Sequence, residues 1–131
     1  MELRSVEELM DLLYACRSRH ALRTAALLRR SRPADKELQL AGLVHDIGRL
    51  LCPGDESRGA EHAAAAVRSL LGERVYRLVR RDGRAREDDL TRLILADEES
   101  RTAGFDAGVL EDWRTVLELV AARNSRLGAV D

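Results

Sequence analysis

The sequence has 131 residues, of which 45% are hydrophobic and 34% are charged, and its formal net charge is −1. This length and apolar content predict one domain, residues 1–131, that buries its own core without disulfides or a structural metal. Because positive and negative charges nearly cancel, no overall field draws the chain toward nucleic acid or anionic lipid, and we expect neither as a partner.

The two cysteines and the hydropathy pattern bear on the cellular compartment. Cys16 and Cys52 form no CxxC motif and are too few for a disulfide framework, so they are expected to be small apolar residues in a reducing environment. No run approaches 18 apolar residues, and the first eight residues do not resemble a signal peptide. We therefore expect a cytoplasmic protein that does not contact a membrane.

The first quarter of the chain predicts two helical segments. Ser5 and Glu8 form a capping box, after which apolar residues recur at helical spacing. Residues 9–20 are expected to run as a nearly unbroken helix, with a bend near residues 16–19. The helical pattern then continues as far as Ser31.

The next predicted helix, residues 33–46, is apolar on most of its circumference and is expected to be the central one. Pro33 suits its first turn. His45 and Asp46 lie near its end, about 100° apart around the axis, so both can turn toward one ion. A bound metal would offset the cost of burying Asp46, on the order of several kcal/mol. Alternatively, Asp46 stops the helix at the surface beside a core histidine, and Gly48 is left-handed.

The rest of the chain predicts a turn at residues 50–54 and four further helices. Asp55 or Ser57 is expected to cap the first, residues 58–71, which Gly72 ends. The others are expected at residues 73–81, 89–98 and 110–123. The apolar stripe of the last helix packs inside a monomer or against a second copy in a homodimer. Because no strand alternation appears, we predict an all-α fold, a single compact bundle of about six helices.

The candidate metal ligands are spread over three predicted helices. A lone histidine among apolar residues is most often part of a core. However, His20, the pair His45–Asp46, and Asp97 together supply two imidazoles and two carboxylates. Such mixed nitrogen and oxygen ligands suit a divalent first-row metal such as manganese, iron or cobalt, and they leave positions for water and substrate.

This pattern resembles the HD-domain superfamily, in which a histidine, an adjacent His-Asp pair and a distant aspartate lie on an all-helical bundle. The resemblance implies that His20, His45, Asp46 and Asp97 are the metal ligands and that Asp46 can bridge to a second ion. The most similar branch includes the mixed-valent diiron oxygenases of phosphonate breakdown, distant relatives of inositol oxygenase. The stretches that carry this likeness are residues 20–26, 43–48, 71–80 and 93–100.

The sequence departs from that branch where the branch has two further histidines, which bind a second metal. Gly59 stands at the first of these positions, and His62 follows on nearly the same helical face. Asp82 stands at the second, where a helix cap beside Gly83 is the alternative. His62 and Asp82 are therefore candidate ligands of a second ion. Four residues after that second position the branch has a lysine, and this sequence has Arg86. An arginine can hold a phosphate but cannot act as a base.

Two segments that cover the pocket in that branch are also shortened, one before the first histidine and one between the fourth and fifth helices. The pocket is therefore expected to be more open than an oxygenase needs.

These residues predict a metal-dependent phosphohydrolase that acts on a small phosphorylated metabolite or nucleotide through a metal-activated water. Asp46 or Glu61 is the candidate base. Arg81 and Arg86, from a group of arginines around Asp82, are the candidate phosphate-binding residues, although that group is alternatively a solvated face balanced by nearby acids. Two other functions stay open: a diiron oxygenase of a phosphonate-like substrate, with two iron ions, and a non-catalytic HD domain.

Overall fold

The computed structural model describes residues 2–102 and 104–130, with side chains as far as residue 126. Across these residues the chain is helical and contains no strand, which confirms the predicted fold class. It has eight α-helices where about six were predicted. The α-helices are α1 (Val6–Cys16), α2 (Arg19–Ser31), α3 (Lys36–Val44), α4 (Gly48–Leu51), α5 (Gly59–Leu71), α6 (Glu73–Arg80), α7 (Glu87–Thr102) and α8 (Arg114–Val130); the two 3₁₀ helices are Glu56–Arg58 and Leu110–Trp113.

Several predicted helix ends are confirmed. Ser5 caps α1, its Oγ accepting a hydrogen bond from the Glu8 N–H at 3.2 Å. Gly72 ends α5 with a φ of 101°, a conformation that favours glycine. The helix predicted over residues 73–81 ends one residue earlier, because Arg81 adopts the left-handed conformation that commonly ends a helix, at φ 60° and ψ 43°.

The prediction of a nearly unbroken helix over residues 9–20 is wrong. α1 ends at Cys16, and Arg17 follows in the left-handed region at φ 52° and ψ 36°. The Ser18 side chain then caps α2 by accepting a hydrogen bond from the Ala21 N–H at 3.0 Å. The local hydrogen bond of this serine starts a new helix where apolar spacing alone predicted continuation.

α3 is shorter than the predicted helix of residues 33–46. It begins after Asp35, whose side chain accepts a hydrogen bond from the Leu38 N–H at 3.1 Å, and Pro33 lies in the preceding turn. Since a carboxylate cap satisfies a free N–H group, Asp35 and not Pro33 sets the start. His45 and Asp46 therefore lie just beyond the end of α3.

Gly48 begins α4 and is buried; it is not a left-handed cap at the surface. A Cβ at this position would lie only 2.0 Å from the carbonyl oxygen of Gly59, so glycine allows α4 to approach the start of α5. The alternative in which Asp46 stops a surface helix ahead of a left-handed Gly48 is therefore wrong.

Other predicted boundaries differ by a few residues. Residues 48–51, partly assigned to a turn, form α4. Neither Asp55 nor Ser57 caps α5, which begins one residue later than predicted and directly follows a 3₁₀ helix. α7 is longer than residues 89–98, and the last predicted helix is divided into a 3₁₀ helix and α8.

α3 is the central helix, as predicted: every residue from Leu38 to Val44 is buried. It contacts α2, α6, α7 and α8. A Cβ at Gly42 would lie 2.8 Å from Leu28 Cδ1, so glycine here lets α2 pack closely on α3. This packing places the first turn of α2 and the second half of α7 beside the end of α3. In the part of the chain described, no helix combines the length and apolar character needed to cross a bilayer.

A charged network ties together the ends of α2, α3, α6 and α7. Arg74 binds Asp35 through two hydrogen bonds of 2.6 and 2.7 Å, and it also donates to Glu37 and to the buried Asp89 at 3.1 Å. Arg32 donates to Asp89 at 3.1 Å. The Arg74 guanidinium lowers the pKa of Asp35 below its usual value. This network therefore stabilises the end of α2 and the starts of α3, α6 and α7. His45 and Asp46 follow the other end of α3.

Candidate metal centre

Side chains from three separate elements meet at one point. His20 comes from α2, His45 follows α3, and Asp97 comes from α7; one ligand atom of each lies within 4.8 Å of the other two. Nε2 of His20 is 2.5 Å from Oδ1 of Asp97, and Nε2 of His45 is 3.5 Å from the same oxygen. The predicted convergence is observed for these three residues, and the group can hold a metal ion.

Asp46 lies beside this group but does not belong to the set of residues whose ligand atoms all lie within 4.8 Å of one another. Its Oδ1 is 3.3 Å from Nε2 of His45, and its Oδ2 accepts a hydrogen bond from Ser18 Oγ at 2.6 Å. Asp46 therefore faces the centre with one oxygen while the serine holds the other. Its role as a metal ligand stays a prediction.

The hydrogen bonds of His45 fix which ring nitrogen can bind a metal. Nδ1 lies 2.5 Å from the carbonyl oxygen of Gly42, in the last turn of α3. A carbonyl only accepts hydrogen bonds, so Nδ1 carries the proton, and Nε2 of the neutral ring carries a lone pair. That Nε2 is buried and receives no hydrogen bond from any described residue.

The hydrogen bonds of His20 place its proton differently. Nε2 lies 2.5 Å from Oδ1 of Asp97, and a carboxylate only accepts hydrogen bonds, so Nε2 donates to it. Ser100 Oγ is 2.8 Å from the main-chain carbonyl of Asp97, 2.7 Å from Nδ1 of His20 and 2.8 Å from Thr24 Oγ1. A metal ion on Nε2 would require the proton on Nδ1, where Ser100 Oγ can accept it while donating to the Asp97 carbonyl. Both imidazoles therefore have a partner for the outer hydrogen bond typical of metal-binding histidines.

These assignments make the residues fit a bound cation. The Nε2 lone pair of His45 faces the carboxylate oxygens of Asp97 and Asp46, which is repulsive unless a proton or a metal ion lies among them. Burial alone lowers the pKa of His45, but the facing carboxylates of Asp97 and Asp46 outweigh it and raise the pKa above its ordinary value. Two imidazoles and one or two carboxylates are a donor set suited to a divalent first-row metal.

Positive groups surround Asp97 on its other side. Arg81 donates to Oδ2 at 2.7 Å, and the Arg101 guanidinium is 3.7 Å from Oδ1. The His45 ring, Arg81 and His20 together hold the pKa of Asp97 far below its ordinary range despite its burial. Asp97 is therefore ionised, with Oδ2 bound by Arg81 and Oδ1 turned to the histidines.

The candidate ligands of a second ion make other contacts. His62 Nε2 is 2.9 Å from Asp55 Oδ2, on the segment that precedes α5. Asp82 follows α6, and its Oδ1 accepts a hydrogen bond from the Arg84 N–H at 2.9 Å, which lowers the pKa of Asp82. Neither belongs to the close group of ligand atoms found among the described residues. The contact of Asp82 with the Arg84 N–H is typical of a turn after a helix, which fits the alternative that Asp82 caps the helix end beside Gly83.

The candidate phosphate-binding arginines differ in position. Arg81 reaches the centre through Asp97, whereas Arg86 is exposed and its side chain makes no hydrogen bond or ion pair within the described chain. Arg80 lies 3.7 Å from Asp82 and Arg77 lies 3.8 Å from Glu73, so part of this group is a surface balanced by acids. Glu61, the alternative base, is exposed and pairs with Arg58.

Sequence reasoning missed the residues that support the centre, namely Ser18, Thr24 and Ser100. Thr24 lies four residues after His20, and Ser100 lies three residues after Asp97. These helical spacings place each hydroxyl on the same face as its neighbouring ligand, so a signal was present. Ser18 could have been recognised as a helix cap.

Comparisons of this chain with protein-family models, with curated proteins and with solved structures find no match. Any function proposed for this chain therefore rests on the geometry of this centre.

Proposed function

We propose that this protein is a metal-dependent phosphohydrolase of the HD-domain kind, acting on a small phosphorylated molecule. The observation that carries the proposal is Nε2 of His45, a buried nitrogen without a hydrogen bond that faces the oxygens of Asp97 and Asp46. His20, His45 and Asp97 would hold a divalent ion, and such an ion would lower the pKa of a bound water toward about 7 and stabilise charge on a phosphoryl oxygen.

Asp46 is the proposed general base. Its Oδ1 lies on the side of the centre, where it can accept the proton that the attacking water loses, and Ser18 holds Oδ2 so that the carboxylate keeps this orientation. The new bond joins the water oxygen to phosphorus. The ester P–O bond breaks, the leaving oxygen keeps the bonding electron pair and takes a proton from solvent, and Asp46 returns its proton to solvent.

The charges around the centre favour an anionic substrate. Arg81 and Arg101 offset the two carboxylates, so a divalent ion leaves the centre with a net positive charge. Arg81 has further N–H groups besides the one that it donates to Asp97, and these can bind a phosphoryl oxygen. We infer that Arg81 both orients Asp97 and contacts the substrate phosphate.

The contacts of the candidate ligands favour a centre with one metal ion over a centre with two. The two-iron oxygenase alternative requires ligands for a second ion, but His62 and Asp82 are bound to Asp55 and to the Arg84 N–H. No specific contact supports that alternative.

Phosphate release tests the proposal. Protein loaded with manganese, cobalt or iron is incubated with a set of phosphate monoesters, beside the variant Asp97→Asn and the control Asp106→Asn in the exposed loop before α8. We expect metal-dependent release in the wild type and the control, and loss in Asp97→Asn. No release by any metal form of the wild type, or equal release by Asp97→Asn, would contradict the proposal and favour a non-catalytic domain.

A further inference from the structure

A cavity of about 280 Å³ lies between α1, the start of α2, the residues after α3 and the second 3₁₀ helix. Its walls are mostly apolar. The apolar side chains that line it are Leu13, Ala21, Leu22, Leu43, Ile47 and Leu110. Its size is just below the range of roughly 300–1,000 Å³ found for ligand pockets.

The cavity adjoins the candidate metal centre through shared residues. Asp46 and Ser18 line it, and the same Asp46 turns Oδ1 toward Nε2 of His45 while accepting the Ser18 hydrogen bond. A molecule in the cavity therefore lies next to Asp46, the residue whose carboxylate faces the centre. The break between α1 and α2 provides this part of the wall, since Arg17, Ser18 and Arg19 all line the cavity.

The cavity also has positive charge at its edge. Arg17 and Arg19 are exposed, and in the described chain neither side chain makes a hydrogen bond or an ion pair. Tyr14, also at the edge, donates to Glu111, so that the second 3₁₀ helix is held against α1. An apolar interior with unpaired guanidinium groups at its entrance matches an organic anion with an apolar body.

We propose that this cavity holds the carbon group of the substrate, and that the substrate is an organic phosphate with a single ring or a short branched chain. The placement of its phosphate at the metal centre rests on the proposed function, whereas the binding of its carbon group depends on the cavity alone. A nucleotide fits these walls poorly, because its ribose and base carry many polar groups that Leu13, Leu43 and Ile47 cannot pair.

Calorimetric binding of phenylphosphonate, which has no ester bond to hydrolyse, tests the cavity in metal-free and metal-loaded protein. Leu110→Trp fills the cavity from the 3₁₀ helix, and Val109→Trp is the matched control, because Val109 is exposed and does not line the cavity. We expect Leu110→Trp to weaken binding at least about tenfold and Val109→Trp to leave it unchanged. Adenosine monophosphate should bind at least about tenfold more weakly than phenylphosphonate to the wild type.

A second pair of variants tests the entrance without altering the cavity volume. Arg17→Gln with Arg19→Gln should weaken phenylphosphonate binding and reduce its salt dependence, whereas Arg92→Gln with Arg126→Gln, at exposed positions elsewhere, should change neither. This pair keeps the test decisive if Leu110→Trp does not fold.

The outcomes separate the two proposals. Absence of phenylphosphonate binding, binding that neither cavity nor entrance variants affect, or tighter binding of the nucleotide would overturn the cavity assignment. Phenylphosphonate binding with the expected variant effects, but without release of phosphate from phenyl phosphate, would support the cavity and contradict the hydrolase.

Discussion

Nε2 of His45 faces Oδ1 of Asp97 across 3.5 Å, and no described residue gives this buried nitrogen a hydrogen bond. The opposite nitrogen of the ring donates to the Gly42 carbonyl, so the ring can neither flip nor move its proton without losing that bond. A buried acceptor facing a carboxylate is unfavourable by itself. A shared cation removes the repulsion, which is why this pair is the basis of the functional proposal.

Replacing Ser100 by alanine should weaken metal binding without removing a proposed ligand. Ser100 Oγ lies 2.7 Å from Nδ1 of His20 and would accept its N–H when Nε2 binds a metal, and loss of such an outer hydrogen bond typically lowers metal affinity by roughly 10–100-fold. Metal affinity measured by competition with a chelating dye checks this, with Ser57→Ala at an exposed position as the control. Equal affinities in Ser100→Ala and wild type would show that the serine does not orient His20.

Asp46→Ala is expected to abolish phosphate release while leaving metal uptake and the helix content largely intact. The proposed ligands His20, His45 and Asp97 remain, and the Asp46 side chain is 23% exposed, so its loss opens no large core cavity. Phosphate release, metal content and circular dichroism of the purified variant measure these three properties. Loss of metal uptake in Asp46→Ala would make this residue a ligand and contradict its role as the base.

The predicted second-ion residues should be dispensable for metal binding. His62→Ala and Asp82→Ala each remove a side chain that contacts other groups, so both variants should bind as many ions per chain as the wild type. Elemental analysis after reconstitution with iron measures this number. Two ions in the wild type and one in either variant would restore the diiron alternative.

Gly48→Ala should destabilise the fold strongly. The added Cβ would lie 2.0 Å from the Gly59 carbonyl oxygen, and backbone atoms cannot move aside as a side chain can, so we expect a loss of about 3 kcal/mol or more in the free energy of unfolding. Gly83→Ala is the control: a Cβ there meets nothing within 4 Å, and the expected change is within about 0.5 kcal/mol. Similar urea midpoints for the two variants would contradict the close approach of α4 and α5.

The ion pair between Asp35 and Arg74 is expected to make a contribution to the free energy of unfolding that is lost in acid. The pKa of Asp35 in the folded protein lies below its ordinary value of 3.8, so the stabilisation is fully present above that value and is lost as the pH falls through the folded pKa. Asp35→Asn keeps a capping side chain but loses the charge. We expect it to be less stable than the wild type at neutral pH, with a difference that shrinks in acid.

Chemical denaturation over a pH series measures that difference. In an Arg74→Gln background the effect of Asp35→Asn should become smaller and depend less on pH, because the partner charge is gone. A difference that stays constant from neutral to acid pH would show that the ion pair does not stabilise the fold.

Much of the fold follows from local sequence. The apolar spacing and the residues Ser5 and Gly72 predicted the all-α class and several helix ends, because their effects are confined to one turn of helix. A bend near residues 16–19 was predicted, but the complete break at Arg17 was not, since the apolar pattern continues across it. Gly48 was misinterpreted because its role depends on Gly59, which is distant in sequence.

The candidate centre was predictable in its ligands but not in its supports. His20, His45 and Asp97 were predicted as metal ligands because histidine and aspartate side chains commonly bind metals. The structure brings these three residues together. The contact of Arg81 with Asp97 depends on how α6 packs beside α7, which no local pattern specifies. The cavity beside Asp46 likewise arises only from the packing of α1, α2 and a 3₁₀ helix.

Nitrogen NMR of the two imidazoles during a zinc titration is the most direct test of the proposed centre. We predict that one equivalent of zinc shifts Nε2 of both His20 and His45 to the range of metal-bound nitrogen, while Nδ1 of each carries the proton in the zinc-bound form and the His62 signals do not move. Nε2 signals of His20 and His45 that remain unchanged with excess zinc would contradict the metal centre and, with it, the proposed hydrolysis.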